Sequence, residues 1–185
     1  MKKFIYLFLI FFSLLNTYSN AENDKMILDL KYGAVEIELY LDKAPNHVKR
    51  FKELAAQGKY DNVVFHRVID GFMAQTGDVK FGNTSSSNFN LSLAGTGGSD
   101  LPNLKAEFSE IAHTRGILSA ARSADPDSAN SQFFICLESA PHLDRQYSVF
   151  GKVVKGMEFI DQIKKGDPSS GAVSNPDKII SLKSK

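Results

Sequence analysis

From Met26 to Leu182 the chain alternates short apolar runs with polar, glycine-rich connectors. Met26-Ile-Leu-Asp-Leu30 and Ala34-Val-Glu-Ile-Glu-Leu39 flank Lys31-Tyr32-Gly33, and the second run sets Val35, Ile37 and Leu39 against Glu36 and Glu38. A period of two predicts a half-buried strand, and the pair reads as a hairpin. Pro45 stands where a first helical turn tolerates it, and Val48, Phe51, Leu54 and Ala55 recur at helical spacing until Gly58, which predicts an amphipathic helix. Its Lys43, Lys49, Arg50, Lys52 and Lys59 could form a binding patch but read better as a solvated face. Strand-like runs follow at Val63–Ile69, Phe72–Thr76, Gly116–Ala120, Gln132–Cys136, Val149–Val154 and Lys178–Leu182, with a second short helix from Met157 to Lys164. About eight short strands and two helices in one domain predict a mainly β fold, a closed eight-stranded antiparallel β-barrel capped by two α-helices.

Residues 79–103 interrupt this rhythm with Asn83-Thr-Ser-Ser-Ser-Asn88 and Gly95-Thr-Gly-Gly98, a composition of loops. Ordered loops of this length are uncommon and often functional, so the segment reads either as a working loop or, over 80–93, as a disordered surface insertion.

The N-terminus changes the domain picture. Lys2 and Lys3 precede the apolar stretch Phe4 to Leu15, and Ser19-Asn20-Ala21 supplies small residues at the positions that matter for cleavage. Residues 1–21 are therefore expected to be a signal peptide, its apolar run falling short of the ~20 residues that span a bilayer. The mature chain, 22–185, has the size of one domain. The whole chain carries 22 basic and 21 acidic residues, so no strong field draws it to nucleic acid or to a membrane. Cys136 is the single cysteine; an internal disulfide is impossible, and the end of the apolar run Phe133-Phe134-Ile135 predicts a buried, inert thiol.

Two segments carry candidate chemistry. In Phe65–Asp78, alternation puts Met73 and Gln75 on one face of their strand, and Arg67 lies across the Asp70-Gly71 turn on the neighbouring strand. An arginine among so many apolar residues is costly to bury, and taken alone it reads as an edge residue or as a working cation. In Gly116–Cys136, Gln132 and Phe134 share one face while Phe133 and Ile135 share the other. One face can fill a core while the other offers an aromatic ring and an amide to a ligand.

Together these segments resemble the cyclophilin family. FHRVIDGFMAQTGD from Phe65, GTGG from Gly95, HTRGILSAAR from His113, DPDSANSQFFIC from Asp125 and YSVFGKV from Tyr147 occur in the family's order, and the DPDSANSQFF form is most similar to bacterial exported members. The resemblance implies a peptidyl-prolyl cis-trans isomerase with Arg67 as the catalytic residue and with Phe72, Met73, Phe134 and Leu143 lining a proline pocket. Gln75 would hydrogen-bond the substrate backbone, Ala121 and Arg122 would lie along the extended peptide, Gln132 and the Gly95–Gly98 loop would border the cleft, and Tyr147 would close the pocket. The implied partners are proline-containing unfolded or extended polypeptides acted on by a monomer in the periplasm, or outside the cell where the host has no outer membrane. The chemistry requires no metal or other cofactor.

Two positions depart from the commonest eukaryotic pattern. His142 stands where many members have tryptophan, and Tyr147 where many have histidine; since that tryptophan is associated with cyclosporin binding, weak sensitivity to the drug is expected. The segment between Asp78 and Gly95 is also longer than is usual for the family. A hydrolase is the first competing reading, but no G-x-S-x-G elbow and no H-E-x-x-H spacing occurs among His47, His66, His113 and His142. His66 alternates away from Arg67 and reads as a hydrogen-bonded structural imidazole. A non-catalytic proline-peptide binding module or chaperone is the other alternative, since the same pocket could bind without turnover.

Overall fold

A computed structural model describes residues 25–185; the expected signal peptide at 1–21 lies outside the described residues. Strands β1 (Lys25–Leu30) and β2 (Gly33–Leu39) form the expected hairpin, with Lys25 opposite Glu38 and Leu30 opposite Gly33. Helix α1 (Pro45–Ala56) follows, then β3 (Arg67–Ile69), β4 (Met73–Thr76), β5 (Ile117–Ala120), β6 (Phe133–Cys136), β7 (Val149–Lys155), helix α2 (Met157–Asp161) and β8 (Ser181–Ser184). All neighbours are antiparallel, in the order β3-β4-β6-β5-β7-β2-β1-β8.

The expected closed barrel is corrected to an open eight-stranded sheet with β3 and β8 at its edges. Residues 63–66, expected to extend β3, are diverted: Asn62 N–H donates to the Ile179 carbonyl at 2.8 Å, Ile179 N–H to Val63 at 2.9 Å and Phe65 N–H to Asp177 at 2.8 Å. These irregular connectors span the gap between the edges where strand pairing would have closed it. The same diversion delays the last strand, which begins at Ser181 rather than Lys178. Helix α2 stops at Asp161 rather than Lys164 because its end tightens, Ile163 N–H turning back to the Ile160 carbonyl.

Alternation divides the apolar residues into two clusters. Phe133 and Ile135 of β6 point into the main core, where Phe51 of α1 meets Tyr60, Phe133 and Phe150 at centroid distances of 5.4, 5.1 and 5.2 Å. Tilted and edge-to-face rings at such spacings add to their area burial. Phe134 and Cys136 point the other way, into a smaller cluster with Met73, Leu143 and Val149, against which Phe72, Ala121 and Tyr147 pack. Residues on the outer face of one sheet thus build a second apolar body open to solvent on one side.

Candidate active site

The second cluster is organised by one row across the sheet. Arg67 on β3 pairs with Gln75 on β4, Gln75 with Phe134 on β6, and Phe134 with Ser119 on β5. Side chains in register on neighbouring strands stand on the same face about 5 Å apart, so the row sets cation, amide and aromatic ring side by side.

Arg67 is held from three directions. Its Nε donates to the Ser170 carbonyl at 3.1 Å, Nη1 reaches Gln75 Oε1 at 3.5 Å, and the same nitrogen lies 3.9 Å from Met73 Sδ. The aliphatic stem rests on Gly171, where φ is +77° and a Cβ would stand 2.9 Å from Arg67 Cγ and 2.6 Å from Ile69 Cγ1. Only glycine supplies both the left-handed backbone and the room. The Ser170 carbonyl is fixed by a turn in which Asp167 Oδ1 accepts from the backbone and hydroxyls of Ser169 and Ser170. Those bonds, the Ser169 hydroxyl first, hold the Asp167 carboxyl down at about 2.

Beside the guanidinium is a cavity of about 140 Å³ lined by Arg67, Phe72, Met73, Gln75, Ala121, Arg122, Phe134, Leu143 and Tyr147. It is smaller than the several hundred Å³ of a usual cofactor pocket and suits one compact apolar group. Phe134 and Tyr147 form its aromatic corner at 5.8 Å, and the Arg122 guanidinium lies over the Tyr147 ring, 4.3 Å from its centroid, while Nε and Nη2 donate to the Gln146 carbonyl. Gln75, Ala121 and Arg122 also border a wider cleft of about 510 Å³ walled by Gly95–Ser99, Asn103, Ser123, Ser128, Asn130 and Gln132. Of the ten residues singled out in the sequence, nine line the small cavity and Gln132 lines the cleft beside it.

The two hollows are joined by a directed hydrogen-bond chain. Gln132 Nε2 donates to the Gly95 and Gly97 carbonyls at 3.0 and 2.7 Å, and Gln132 Oε1 accepts from Gln75 Nε2 at 3.0 Å. Gln75 Oε1 is thereby turned toward the arginine. Carbonyls at one end only accept and a guanidinium at the other only donates, so the orientation of both amides is fixed.

Behind Phe134 lies a feature that no sequence spacing signalled. His113 Nδ1 is 3.0 Å from Asp144 Oδ1, and His113 Nε2 is 3.1 Å from the Ser119 hydroxyl. A serine, a histidine and an aspartate in this order are the parts of a hydrolase, but Ser119 is fully buried and its hydroxyl donates to the Ser148 carbonyl at 3.0 Å. The group is a strut: the His113 ring stacks on Phe134 at 6.2 Å and 19°, bracing the cavity floor. Burial lowers the His113 pKa against the opposing pull of Asp144, and the backbone N–H of His113 is the first cause holding the Asp144 carboxyl low.

Cys136 is buried, and desolvation pushes its thiol up to about 12. His66 is also buried, but the expected hydrogen-bonded imidazole is corrected: neither ring nitrogen has a hydrogen-bond partner of good geometry among the described residues. The ring packs instead against Gly95, where a Cβ would lie 2.9 Å from His66 Cδ2. Burial, opposed in part by Asp78 and the Val64 backbone, pushes its pKa down to about 4. Among the described residues no group of three or more His, Cys, Asp or Glu is placed to hold a metal ion, and no helix is long and apolar enough to cross a membrane.

Residues 25–184 match the family described as cyclophilin type peptidyl-prolyl cis-trans isomerase/CLD. A probable peptidyl-prolyl cis-trans isomerase of Brucella suis is 56% identical over 156 residues, spanning 84% of this chain and 79% of the relative. A peptidyl-prolyl cis-trans isomerase of Arabidopsis thaliana is 38% identical over 140 residues, 76% of this chain and 60% of that one. Among solved structures, the cyclophilin AquaCyp293 of Hirschia baltica superposes with a TM-score of 0.74 at 25% identity, covering 88% of this chain and 74% of its own. A Cryptosporidium parvum cyclophilin type peptidyl-prolyl cis-trans isomerase, crystallised in the presence of the dipeptide Ala-Pro, gives 0.72 at 29% identity, covering 87% of this chain and 98% of its own.

Proposed function

The chain belongs to the cyclophilin family and is a peptidyl-prolyl cis-trans isomerase, and from that premise we propose that it serves the folding of exported proteins by turning over X-Pro bonds in extended polypeptides. The single observation that carries the assignment of roles is the Arg67 guanidinium at the rim of a small apolar cavity floored by Met73 and Phe134.

An X-Pro amide resists rotation because resonance ties the nitrogen lone pair to the carbonyl; the barrier is ~18–20 kcal/mol and the uncatalysed exchange takes tens to hundreds of seconds. Rotation localises that lone pair on nitrogen. In our reading the prolyl ring sits among Phe72, Met73, Phe134 and Leu143, and the guanidinium of Arg67 donates toward the prolyl nitrogen, an interaction that strengthens as the amide leaves planarity. Stabilisation confined to the twisted state lowers the barrier, whereas equal grip on both planar forms would not. Gln75, oriented by Gln132, offers its amide to the peptide backbone, Ala121 and Arg122 flank the extended chain, and Tyr147 closes the cavity.

The proposed setting is the periplasm, or the exterior of a host with no outer membrane, and the proposed working form is a monomer. The export reading is supported by Lys2, Lys3 and the apolar stretch Phe4 to Leu15; mass spectrometry of the mature N-terminus in the native host tests it. Two-dimensional NMR exchange on an X-Pro peptide tests the assignment of roles, with line broadening expected for the wild type and loss of it for Arg67→Ala at unchanged fold.

A further inference from the structure

The long segment between Asp78 and Gly95 is closed by one buried carboxylate. Asp78 Oδ1 accepts from the backbone N–H of Lys80 and Phe81 at 3.0 and 2.9 Å, and Oδ2 from those of Gly95 and Gly97 at 2.7 and 2.9 Å. Within the loop, Asn90 N–H donates to the Phe81 carbonyl, the Asn90 carbonyl accepts from Leu93 and Ala94, and the Leu93 carbonyl takes both the N–H and the hydroxyl of Thr96. This tied backbone presents Phe89, Leu91 and Leu93 to solvent at 39, 36 and 42% exposure. Large apolar side chains clustered on a water-facing loop contribute little to a core and mark a contact surface. Residues 81–99 also contain no charged side chain.

The backbone that carries these side chains leads into the cleft wall. Gly95, Thr96 and Gly97 wall it, and Leu93 precedes Gly95 by two residues, so their Cα atoms are at most ~8 Å apart. A peptide leaving the cleft on the Gly95 side, at ~3.3 Å per residue, would cover that distance in about three residues. We propose that Phe89, Leu91 and Leu93 extend the substrate cleft and hold apolar side chains of an unfolded polypeptide a few positions from its proline. The inference rests on the isomerase reading of the cleft. An uncharged strip of Phe and Leu among Asn and Ser makes no demand on the charge of a client and fits the varied sequences of unfolded chains. An anionic membrane surface would call for lysine or arginine among the apolar residues, and the strip has none.

The test compares a tetrapeptide with two peptides of about a dozen residues sharing one X-Pro core, one flanked by leucine and phenylalanine and the other by serine. For wild type, kcat/KM on the apolar-flanked peptide is expected to exceed that on the serine-flanked one about tenfold, chiefly through KM. In Phe89→Ser/Leu91→Ser/Leu93→Ser the ratio falls to near one while tetrapeptide turnover stays within twofold; Leu93→Ser alone moves the ratio the same way by a smaller factor. Equal rates on the two long peptides in wild type, or a ratio unchanged in the triple variant, overturns the proposal. So does a concentration-dependent dimer, or binding to phosphatidylglycerol vesicles, that disappears in the triple variant without a change in the peptide ratio. Failure of wild type on the tetrapeptide would strike the isomerase reading of the cleft itself.

Discussion

Gln75 and Gln132 lie side by side on neighbouring walls of the site, the amide nitrogen of the first donating to the amide oxygen of the second at 3.0 Å. Through this pair the Gly95–Gly97 loop and the Arg67 guanidinium belong to one hydrogen-bond chain, so a change at one end is expected to be felt at the other.

Substitution within the pair tests that chain. Gln132→Glu keeps size and shape and can still accept from Gln75, but it cannot donate to the Gly95 and Gly97 carbonyls. Leaving those acceptors facing a carboxylate is expected to lower stability by about 1–3 kcal/mol and kcat/KM about tenfold. Urea unfolding and a protease-coupled assay report both, and wild-type activity at reduced stability would show that the loop does not communicate with the arginine.

Arginine itself is expected to be irreplaceable by lysine. Arg67→Lys retains charge but cannot serve the Ser170 carbonyl, Gln75 and a prolyl nitrogen from one planar fork. A loss of roughly 10²-fold in kcat, the size expected for one transition-state donor, should appear with little change in melting temperature; near-normal kcat would remove the assigned role.

Gly171→Ala probes how Arg67 is placed while leaving the arginine itself unsubstituted. The added Cβ meets Arg67 Cγ and Ile69 Cγ1 at a positive φ, so about 1–3 kcal/mol of strain is expected. Displacement of the guanidinium should lower kcat more than it raises KM. An equal loss in a binding-only measurement would point to general damage instead.

Acid should weaken the fold through His66. Its pKa is about 4 in the folded protein because burial disfavours the charged ring, against an ordinary value near 6.5, so the unfolded chain binds a proton that the folded one refuses. Its contribution is fully present above about pH 6.5 and is lost as pH falls toward 4, amounting to ~2 kcal/mol between pH 7 and 5. Denaturant titrations at both pH values should show this loss in wild type and a smaller one, by a similar amount, in His66→Leu. Parallel pH profiles would place the acid sensitivity elsewhere.

Cyclosporin should inhibit weakly. His142 is exposed at the rim, its ring 5.3 Å from that of Phe72, and an imidazole offers less apolar area than the indole that the family resemblance would set there. Inhibition at nanomolar drug in the activity assay would contradict this.

What was legible in the sequence follows the reach of each interaction. The opposite facing of Phe133 and Phe134 is visible because period-two alternation is a property of the local chain, and the pairing of Arg67 with Gln75 because a tight turn joins their strands. Their association with residues 121–147 came from ordered motifs rather than from periodicity. The support of Arg67 by Ser170 was not visible, since the two are far apart in sequence and the contact is made by a backbone carbonyl that carries no residue signature. Asp78 was equally silent, because its partners are backbone N–H groups. The open edge of the sheet was missed for a related reason: strand propensity marks Val63–Ile69 as extended but does not say which neighbour its backbone will choose.

The Asp78 clasp has a consequence for how such a protein can diversify. Its four bonds fall on residues 80, 81, 95 and 97, outside the stretch from Ser85 to Ser92 that they close off. Asn90 ties that stretch to the backbone of Phe81, Leu93 and Ala94, so a change of composition that keeps this tie is expected to leave in place the wall from which Gln132 takes its bearings. On the proposed reading of Phe89, Leu91 and Leu93, breadth of clientele and speed of turnover would then rest on separate pieces of the same molecule.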